Sequence, residues 1–92
     1  MSDDTLNKES AIEFPCEFPI KMMGRDSEEF RVTARVLIES HVGPIADEAI
    51  RINKSGKGNF VSVTITVTAT SQEQLDKIYR EVSGHDDVLM AL

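Results

Sequence analysis

The sequence predicts a single α+β domain whose elements follow the order β-α-β-β-α-β. Its clearest signal lies over residues 61–69, where aliphatic and hydroxyl side chains alternate as in a strand with one buried face. Two further segments place apolar residues three and four positions apart, which indicates amphipathic helices. A chain of 92 residues has room for one hydrophobic core. Right-handed crossovers and antiparallel neighbours then give a four-stranded antiparallel sheet with two helices on one face, the ferredoxin-like sandwich.

The first strand is predicted over residues 17–23. Phe18, Ile20 and Met22 lie two positions apart and therefore share one face of this strand. Gly24 is expected to end the strand, because a glycine permits a turn that a β-carbon would obstruct.

The first helix is predicted over residues 27–41. Asp26 is the expected N-cap, and Glu29 stands three residues later, at the position of a capping box. Gly43 and Pro44 are expected to stop the helix. The buried stripe consists of Phe30, Ala34, Leu37, Ile38 and His41.

The next two strands are predicted to form a hairpin. Residues 45–53 read as a second strand, residues 54–59 as its loop, and residues 61–69 as the third strand. The loop is rich in glycine, serine and asparagine, which suit tight turns. We expect the aliphatic face of the third strand to pack under the helices and its Ser/Thr face to stay open.

The second helix is predicted to begin after Ser71, with Gln74 at the capping-box position and Gly84 just past its end. A last strand is predicted over residues 87–92. The buried stripe of the helix consists of Leu75, Ile78, Tyr79 and Val82.

Charge and composition indicate a tail and a domain, and they disfavour some classes of function. Residues 1–12 are polar and acidic and are expected to form a disordered tail, whereas residues 13–92 form the domain. The net charge of −6 disfavours binding to nucleic acid and to anionic membranes. The N-terminus has no secretory signal pattern, and no apolar run is long enough to cross a bilayer, so the expected location is the cytoplasm.

Catalytic and metal sites find little support in the sequence. Cys16 is the only cysteine, and neither histidine adjoins it, so no disulfide or Cys/His pair is predicted. The run 85–87, His-Asp-Asp, reads as a solvated turn rather than a metal site. The sequence therefore predicts a protein that is not an enzyme and needs no cofactor. An enzyme whose site needs a partner chain is a third hypothesis.

The glycine-containing loop between the two hairpin strands invites two functional interpretations. It lacks the Gly-Lys-Ser/Thr ending and the following helix of a phosphate-binding loop. It also echoes an RNA-recognition strand, but Phe60 is the only aromatic residue expected on the open sheet face, where such domains stack bases on several rings. A plain hairpin is therefore predicted, and no nucleic-acid partner.

Two surfaces remain as candidate sites. The first is the turn of Gly24, Arg25 and Asp26, where a strand meets a helix N-terminus whose free N–H groups attract carboxylates and phosphates. The second is the open sheet face. The residues expected on it are Lys21, Met23, Arg51, Thr64, Thr66 and Leu89.

Several segments, taken together, resemble the YbeD family of small bacterial proteins. The resemblance runs in order over residues 12–92. Its most characteristic segments are residues 13–15 with Phe18, residues 21–24, residues 57–60 with 62–65, and residues 88–90. Members of that family have no established biochemical activity and tend to occur near lipoate-attachment genes. Their fold is similar to that of ACT regulatory domains, which sense small effectors at dimer interfaces.

The resemblance implies a function and a place for it. An ACT-like domain would bind its ligand in the turn of Gly24, Arg25 and Asp26. The first hypothesis is therefore a non-catalytic regulatory module that binds a small carboxylate-bearing ligand, with a weak side-by-side homodimer as one arrangement. The alternative is a protein-interaction adaptor that uses the open sheet face or an edge strand.

Overall fold

The fold has the predicted order of elements. A computed structural model describes residues 13–54 and 58–92. The antiparallel sheet has the strand order β2-β3-β1-β4, and its architecture confirms the ferredoxin-like prediction. The elements are β1 (Cys16–Arg25), α1 (Glu28–Val42), a short 3-10 turn (Asp47–Ala49), β2 (Ile50–Lys54), β3 (Phe60–Ala69), α2 (Gln72–Ser83) and β4 (Met90–Ala91). The tail predicted over residues 1–12 and the loop residues 55–57 lie outside the described residues.

The core lies between the sheet and the two helices. Strands β1 and β3 pair over ten residues each, with Ile20 opposite Ile65 and Met22 opposite Val63. Because side chains alternate along a strand, these four lie on the same face and pack under the helices. The core consists of Ile20, Met22, Phe30, Ala34, Ile38, Ile45, Val61, Val63, Ile65, Val67, Ala69, Leu75, Ile78, Val82 and Val88.

Gly24 does not end the first strand. It pairs with Val61, and β1 continues to Arg25. A β-carbon at Gly24 would lie 2.6 Å from the ring of Phe30 and 2.7 Å from the backbone oxygen of Asp87. Because Gly24 has no β-carbon, the strand can approach the first helix and the loop before β4 closely.

Ser27, and not Asp26, caps the first helix. Its backbone is extended, and its hydroxyl accepts the backbone N–H of Phe30 at 3.0 Å. The predicted N-cap was one residue early because Asp26 and Ser27 are both good capping residues. The predicted end is confirmed: Gly43 follows the helix with a φ of 86°, and its N–H donates to the carbonyl of Glu39 at 2.8 Å.

The second and fourth strands are shorter than predicted. The start of the predicted second strand forms the 3-10 turn, because Arg35 donates to the carbonyl of Ile45 at 2.6 Å and to the carboxylate of Asp47 at 3.1 Å. The start of the predicted fourth strand forms a turn in which the N–H of Val88 donates to the carbonyl of His85 at 3.1 Å. In the first segment, side-chain bonds from α1 take the place of sheet pairing, and in the second a local backbone bond does so.

The second helix begins as predicted. The hydroxyl of Ser71 accepts the N–H of Gln74 at 3.1 Å, and the side-chain oxygen of Gln74 accepts the N–H of Thr70 at 2.8 Å. This is a capping box whose return bond reaches one residue further than usual. The helix packs by its apolar stripe, and the ring of Tyr79 meets that of Phe18 edge-on, with centroids 6.4 Å apart.

Candidate functional site

The three residues of the predicted turn site face different surroundings. Gly24 is buried against Phe30, and Arg25 is exposed at the last position of β1. The backbone N–H of Asp26 donates to the carbonyl of Asn59 at 3.0 Å. The turn is therefore held by intramolecular contacts on two of its three residues.

Asp26 joins the first helix to the second strand. Its carboxylate forms an ion pair with Arg31 of α1 and lies 3.6 Å from the ammonium of Lys54 at the end of β2. The carboxylate is largely buried, with 15% of the side chain exposed. Asp26 therefore serves as an internal anion for these two cations.

The charge around the turn is mostly negative. A depression of about 330 Å³ lies between the turn and the loop before β4. Its lining carries one guanidinium, that of Arg25, and three carboxylates, those of Glu29, Asp86 and Asp87. Like charges at short range repel, so a carboxylate-bearing ligand gains little from this depression. The turn site of Gly24, Arg25 and Asp26 stays a prediction, and its electrostatics suit a cation better than an anion.

A larger groove lies between the first helix and the edge strand. The helix α1 packs over β1 and β3 and leaves β2 largely uncovered, which opens a groove of about 430 Å³. Its floor is aliphatic, and its wall on the helix carries Val32, whose residue surface is 55% exposed. Ile52 on β2 is 44% exposed. The floor consists of Ile50, Ile52, Val63 and Ile65.

Two guanidinium groups stand on the rim of this groove. Arg35 uses its three nitrogens for Glu39, Asp47 and the carbonyl of Ile45, and these carboxylates raise its pKa. Arg31 uses one terminal nitrogen for Asp26, and no acceptor within the described residues meets its other two. Arg31 therefore keeps hydrogen-bond donors for a further anion at one end of an apolar groove.

The open sheet face is organised in rows across the strands. One row aligns Arg51, Thr64 and Lys21, and the next aligns Asn53, Ser62 and Met23. Arg25 lies opposite Phe60 in the row after that. The strand pairing thus confirms the predicted placement of Lys21, Met23, Arg51, Thr64 and Thr66.

Leu89 does not share the open face. Met90 stands opposite Met23 there, whereas Leu89 lines the depression beside the β1–α1 turn. The prediction was wrong because the register pairs Met90 with Met23, which places the adjacent Leu89 on the other side of the sheet. Met90 and the neighbouring Leu92, both more than half exposed, take part in the open face instead.

Sequence reasoning missed the groove and the ion pairs beside it. One signal was present: Val32 and Val36 lie four apart, outside the predicted apolar stripe of the first helix, and both are more than half exposed. An apolar pair on the outer side of a helix indicates a surface to be covered. The bridging role of Asp26 had no local signal, because Lys54 approaches it only in the folded chain.

The histidines, carboxylates and cysteine considered as metal ligands or reactive groups contribute to the fold. Within residues 13–54 and 58–92, no three metal-ligating side chains converge. His85 accepts the N–H of Asp87 through its Nδ1 at 3.1 Å, as part of a turn. Cys16 is half-buried at the start of β1. No helix in the described part of the chain is long and apolar enough to cross a membrane.

Comparison with known proteins places the chain in a family. The family model described as "Protein of unknown function (DUF493)" matches residues 9–92. The chain belongs to the DUF493 family. The resemblance to YbeD-like proteins is thereby confirmed. DUF493 carries no activity in its description, so the chemistry of the groove and of the sheet face has to support any proposal.

Relatives and a solved structure agree with the DUF493 assignment. A UPF0250 protein of Chromobacterium violaceum is 41% identical over 92 residues and covers 100% of both chains. One of Paraburkholderia phytofirmans is 42% identical over 84 residues, 91% of this chain and 94% of the relative. The solution structure of protein HP0495 from H. pylori matches with a TM-score of 0.66 at 19% identity, covering 92% of this chain and 89% of that one. At that identity the match shows the shared fold.

Proposed function

We propose that this DUF493 chain is a non-catalytic regulatory module that binds a small carboxylate-bearing ligand in the groove between α1 and β2. The observation that carries the proposal is an aliphatic groove with a partly unsatisfied guanidinium, Arg31, at its rim. Small-molecule sites are typically concave and apolar, with a few polar groups that orient the ligand. The groove volume of about 430 Å³ lies within the range of such sites.

The expected ligand has an apolar body beside its carboxylate. The body would cover Ile52 and Val32, which water reaches in the free protein. The carboxylate would accept hydrogen bonds from the free nitrogens of Arg31, next to Asp26. Glu28 also lines the groove, and its negative charge should keep affinity for a simple carboxylate modest.

This location relates the proposal to the predicted turn site. Asp26 is the one residue of the turn that contacts the groove's guanidinium, so a bound carboxylate would share Arg31 with Asp26 and alter their ion pair. A change in that ion pair would also alter the contact between Asp26 and Lys54 on the edge strand. Such a coupling between ligand and edge is a physical basis for regulation.

The test combines thermal unfolding with amide chemical shifts. The probes are leucine, phenylalanine, hexanoate and the uncharged hexanamide. We expect hexanoate to raise the melting temperature with concentration and to shift the amide signals of Arg31 and Ile52, because it binds only the folded state. Hexanamide should have less effect, since it lacks the charge that Arg31 recognises.

Paired variants separate the groove from general charge effects. Arg31→Gln should abolish the response to hexanoate, whereas Arg80→Gln, on the exposed side of α2, should retain it. If none of the four probes moves the melting temperature or these amide signals, the proposal fails. It also fails if hexanoate acts equally on both variants.

A second function, that of a protein-interaction adaptor, is favoured by the edge strand β2. This strand pairs on one side with β3, and its five residues include no proline. Such an edge can accept another strand. Acidic residues Asp47 and Glu48 precede it and Lys54 ends it, so antiparallel self-pairing brings opposite charges together. A weak side-by-side homodimer would follow from this complementarity.

Sedimentation over a range of protein concentrations tests the homodimer. We expect the average mass to rise toward that of a dimer at high concentration in the natural chain. Ile52→Pro should prevent it, because proline removes an N–H and disrupts an edge. Val36→Ser on the exposed side of α1 is the control for a general change in surface polarity. A constant monomer mass at all concentrations would contradict self-pairing.

A further inference from the structure

Strand β1 carries a proline although it lies inside the sheet. By strand order β1 has β3 on one side and β4 on the other. It pairs with β3 along all ten of its residues, and Pro19 lies opposite Thr66 near the middle of this pairing. A proline has no N–H to donate to a ladder, so within sheets it is confined to edges, strand starts and bulges. What Pro19 does in β1 therefore depends on the side to which its nitrogen points.

The nitrogen of Pro19 points to the β4 side of the sheet. Lys21 exchanges two backbone hydrogen bonds with Leu92: its N–H donates at 3.2 Å, and its carbonyl accepts at 2.8 Å. Successive residues of a strand direct their backbone groups to alternate sides, so Pro19 and Glu17 share the direction of Lys21. Pairing with β3 therefore needs no N–H at Pro19.

The side to which Pro19 points is a free edge. Strand β4 has two residues, which pair with Met22 and Met23, and the bonds between Leu92 and Lys21 extend this contact by one position. Within the described residues, no strand pairs with residues 16–20 on this side, and Pro19 is exposed. Residues 16–20 therefore form a second edge of the sheet, in addition to β2.

The edge at β2 offers a complete set of backbone groups. Because Lys21 points to β4, Thr64 opposite it on β3 points to β2 and bonds with Arg51 there. The next residue, Ile52, therefore directs its N–H and its carbonyl to the free side. The five residues of β2 include no proline. Ile52 thus offers a donor and an acceptor to an added strand, whereas Pro19 offers an acceptor alone.

A strand added at residues 16–20 would form a defective ladder. The outward groups there are the N–H and carbonyl of Glu17 and the carbonyl of Pro19. The carbonyl of the added strand opposite Pro19 would lose water without gaining a donor, which costs free energy. The exposed charge of Glu17 on the same edge also disfavours pairing. The two edges of the sheet therefore differ in their capacity to accept a strand.

We propose that Pro19 determines which edge of this sheet accepts a further strand: it closes the β1 edge and leaves strand addition to β2. The inference rests on the second proposed function, strand pairing at β2, and names the residue that directs it. The strand at the β2 edge is that of a second copy of this chain. Without Pro19, the β1 edge would accept a strand as well.

The experiment closes the β2 edge and opens the β1 edge. Ile52→Pro removes the outward N–H of β2 and keeps its pairing with β3, and Pro19→Thr supplies the missing N–H of β1. We expect Ile52→Pro alone to sediment as a monomer at all concentrations. The double variant Ile52→Pro/Pro19→Thr should rise in average mass toward a dimer as its concentration increases. Hydrogen exchange at the amide of Glu17 should then slow.

A relocated proline provides the matched control. Glu17 points to the same free edge, so Glu17→Pro added to the double variant removes an outward N–H again and should restore the monomer. The accompanying loss of a charge favours pairing, so it does not explain a return to the monomer. Pro44→Thr makes the same exchange in an exposed segment after α1 and, combined with Ile52→Pro, should leave a monomer.

Circular dichroism and thermal unfolding check that each variant folds. Pro19→Thr in the otherwise natural chain gives a second measurement that does not depend on Ile52→Pro. Its Glu17 amide should gain protection as the concentration rises, whereas that of the natural chain should not.

Three results would overturn the proposal. They are a folded double variant that stays monomeric at all concentrations, equal association of the variant with the relocated proline, and equal association of the Pro44→Thr control. A natural chain that stays monomeric contradicts the second proposed function alone, because the double variant still reports on the β1 edge.

Discussion

The carboxylate of Glu39 accepts the backbone N–H of Ile45 at 3.1 Å, which ties the end of α1 to the segment leading into β2. The same carboxylate accepts a hydrogen bond from Arg35 at 3.2 Å. Together the two donors lower the pKa of Glu39, with the backbone donor contributing most. An ionised Glu39 therefore holds Arg35, which lines the groove beside β2.

A pH dependence follows for Glu39. Because its pKa is lower in the folded chain, the ionised side chain stabilises the fold above the ordinary pKa of glutamate, and this contribution is lost as the pH falls through the lowered value. We expect Glu39→Gln to be less stable than the natural chain at neutral pH, with a difference that shrinks below about pH 4. Urea unfolding at several pH values measures it. The exposed Glu48 has no ion pair within the described residues, so Glu48→Gln is the control. A loss of stability in Glu39→Gln that does not depend on pH would contradict the assignment.

Gly24→Ala should destabilise the fold by about 1–3 kcal/mol, the usual cost of overpacking. The new β-carbon would meet the ring of Phe30 and the backbone oxygen of Asp87 well inside van der Waals contact. Chemical denaturation measures the loss. Adding Phe30→Leu should give a double variant that loses less than the sum of the two single changes, because the contacts are shared. Full additivity would argue against this contact.

Ser27→Ala should lower the free energy of unfolding by about 1 kcal/mol, because it removes the hydroxyl that caps α1. Thermal or urea unfolding at constant pH measures the effect. Ser83→Ala is a matched control near the end of α2, where the hydroxyl bonds a carbonyl of its own helix. Equal losses in both variants would contradict the special position of Ser27.

Asp26→Asn should cost up to about 1 kcal/mol at low salt, because it weakens the links to Arg31 and Lys54. The loss should diminish at about 1 M salt, where the Debye length falls to about 3 Å. Unfolding at the two salt concentrations measures the change. A loss that does not depend on salt would assign Asp26 a role in hydrogen bonding alone.

Periodicity along the chain was sufficient to predict the elements and the open face. The sequence of strand β3 alternates without interruption, so its core-facing and open-face residues could be assigned, although Ser62 on the open face is also buried. The same rule placed Lys21, Met23 and Arg51 on the open face. These features depend on local geometry, which a sequence pattern reports directly.

Features that depend on distant contacts could not be predicted in the same way. The 3-10 turn before β2 is held by Arg35, twelve residues from Asp47. The continuation of β1 through Gly24 depends on the ring of Phe30 and on the loop before β4. The groove exists because α1 covers β1 and β3 but leaves β2 open, and the sequence pattern of the helix does not specify which strands it covers.

The pairing of β1 with β3 also has a consequence for how the chain folds. Its partners are far apart in sequence, from Arg25 with Phe60 to Cys16 with Ala69. The β2–β3 hairpin closes a short loop, so we expect it to form early. Pairing of β1 with β3 requires the closure of a long loop that includes α1, so we expect it to form later. Because such non-local pairs slow folding, β1 should be the last long strand to gain protection against hydrogen exchange during refolding.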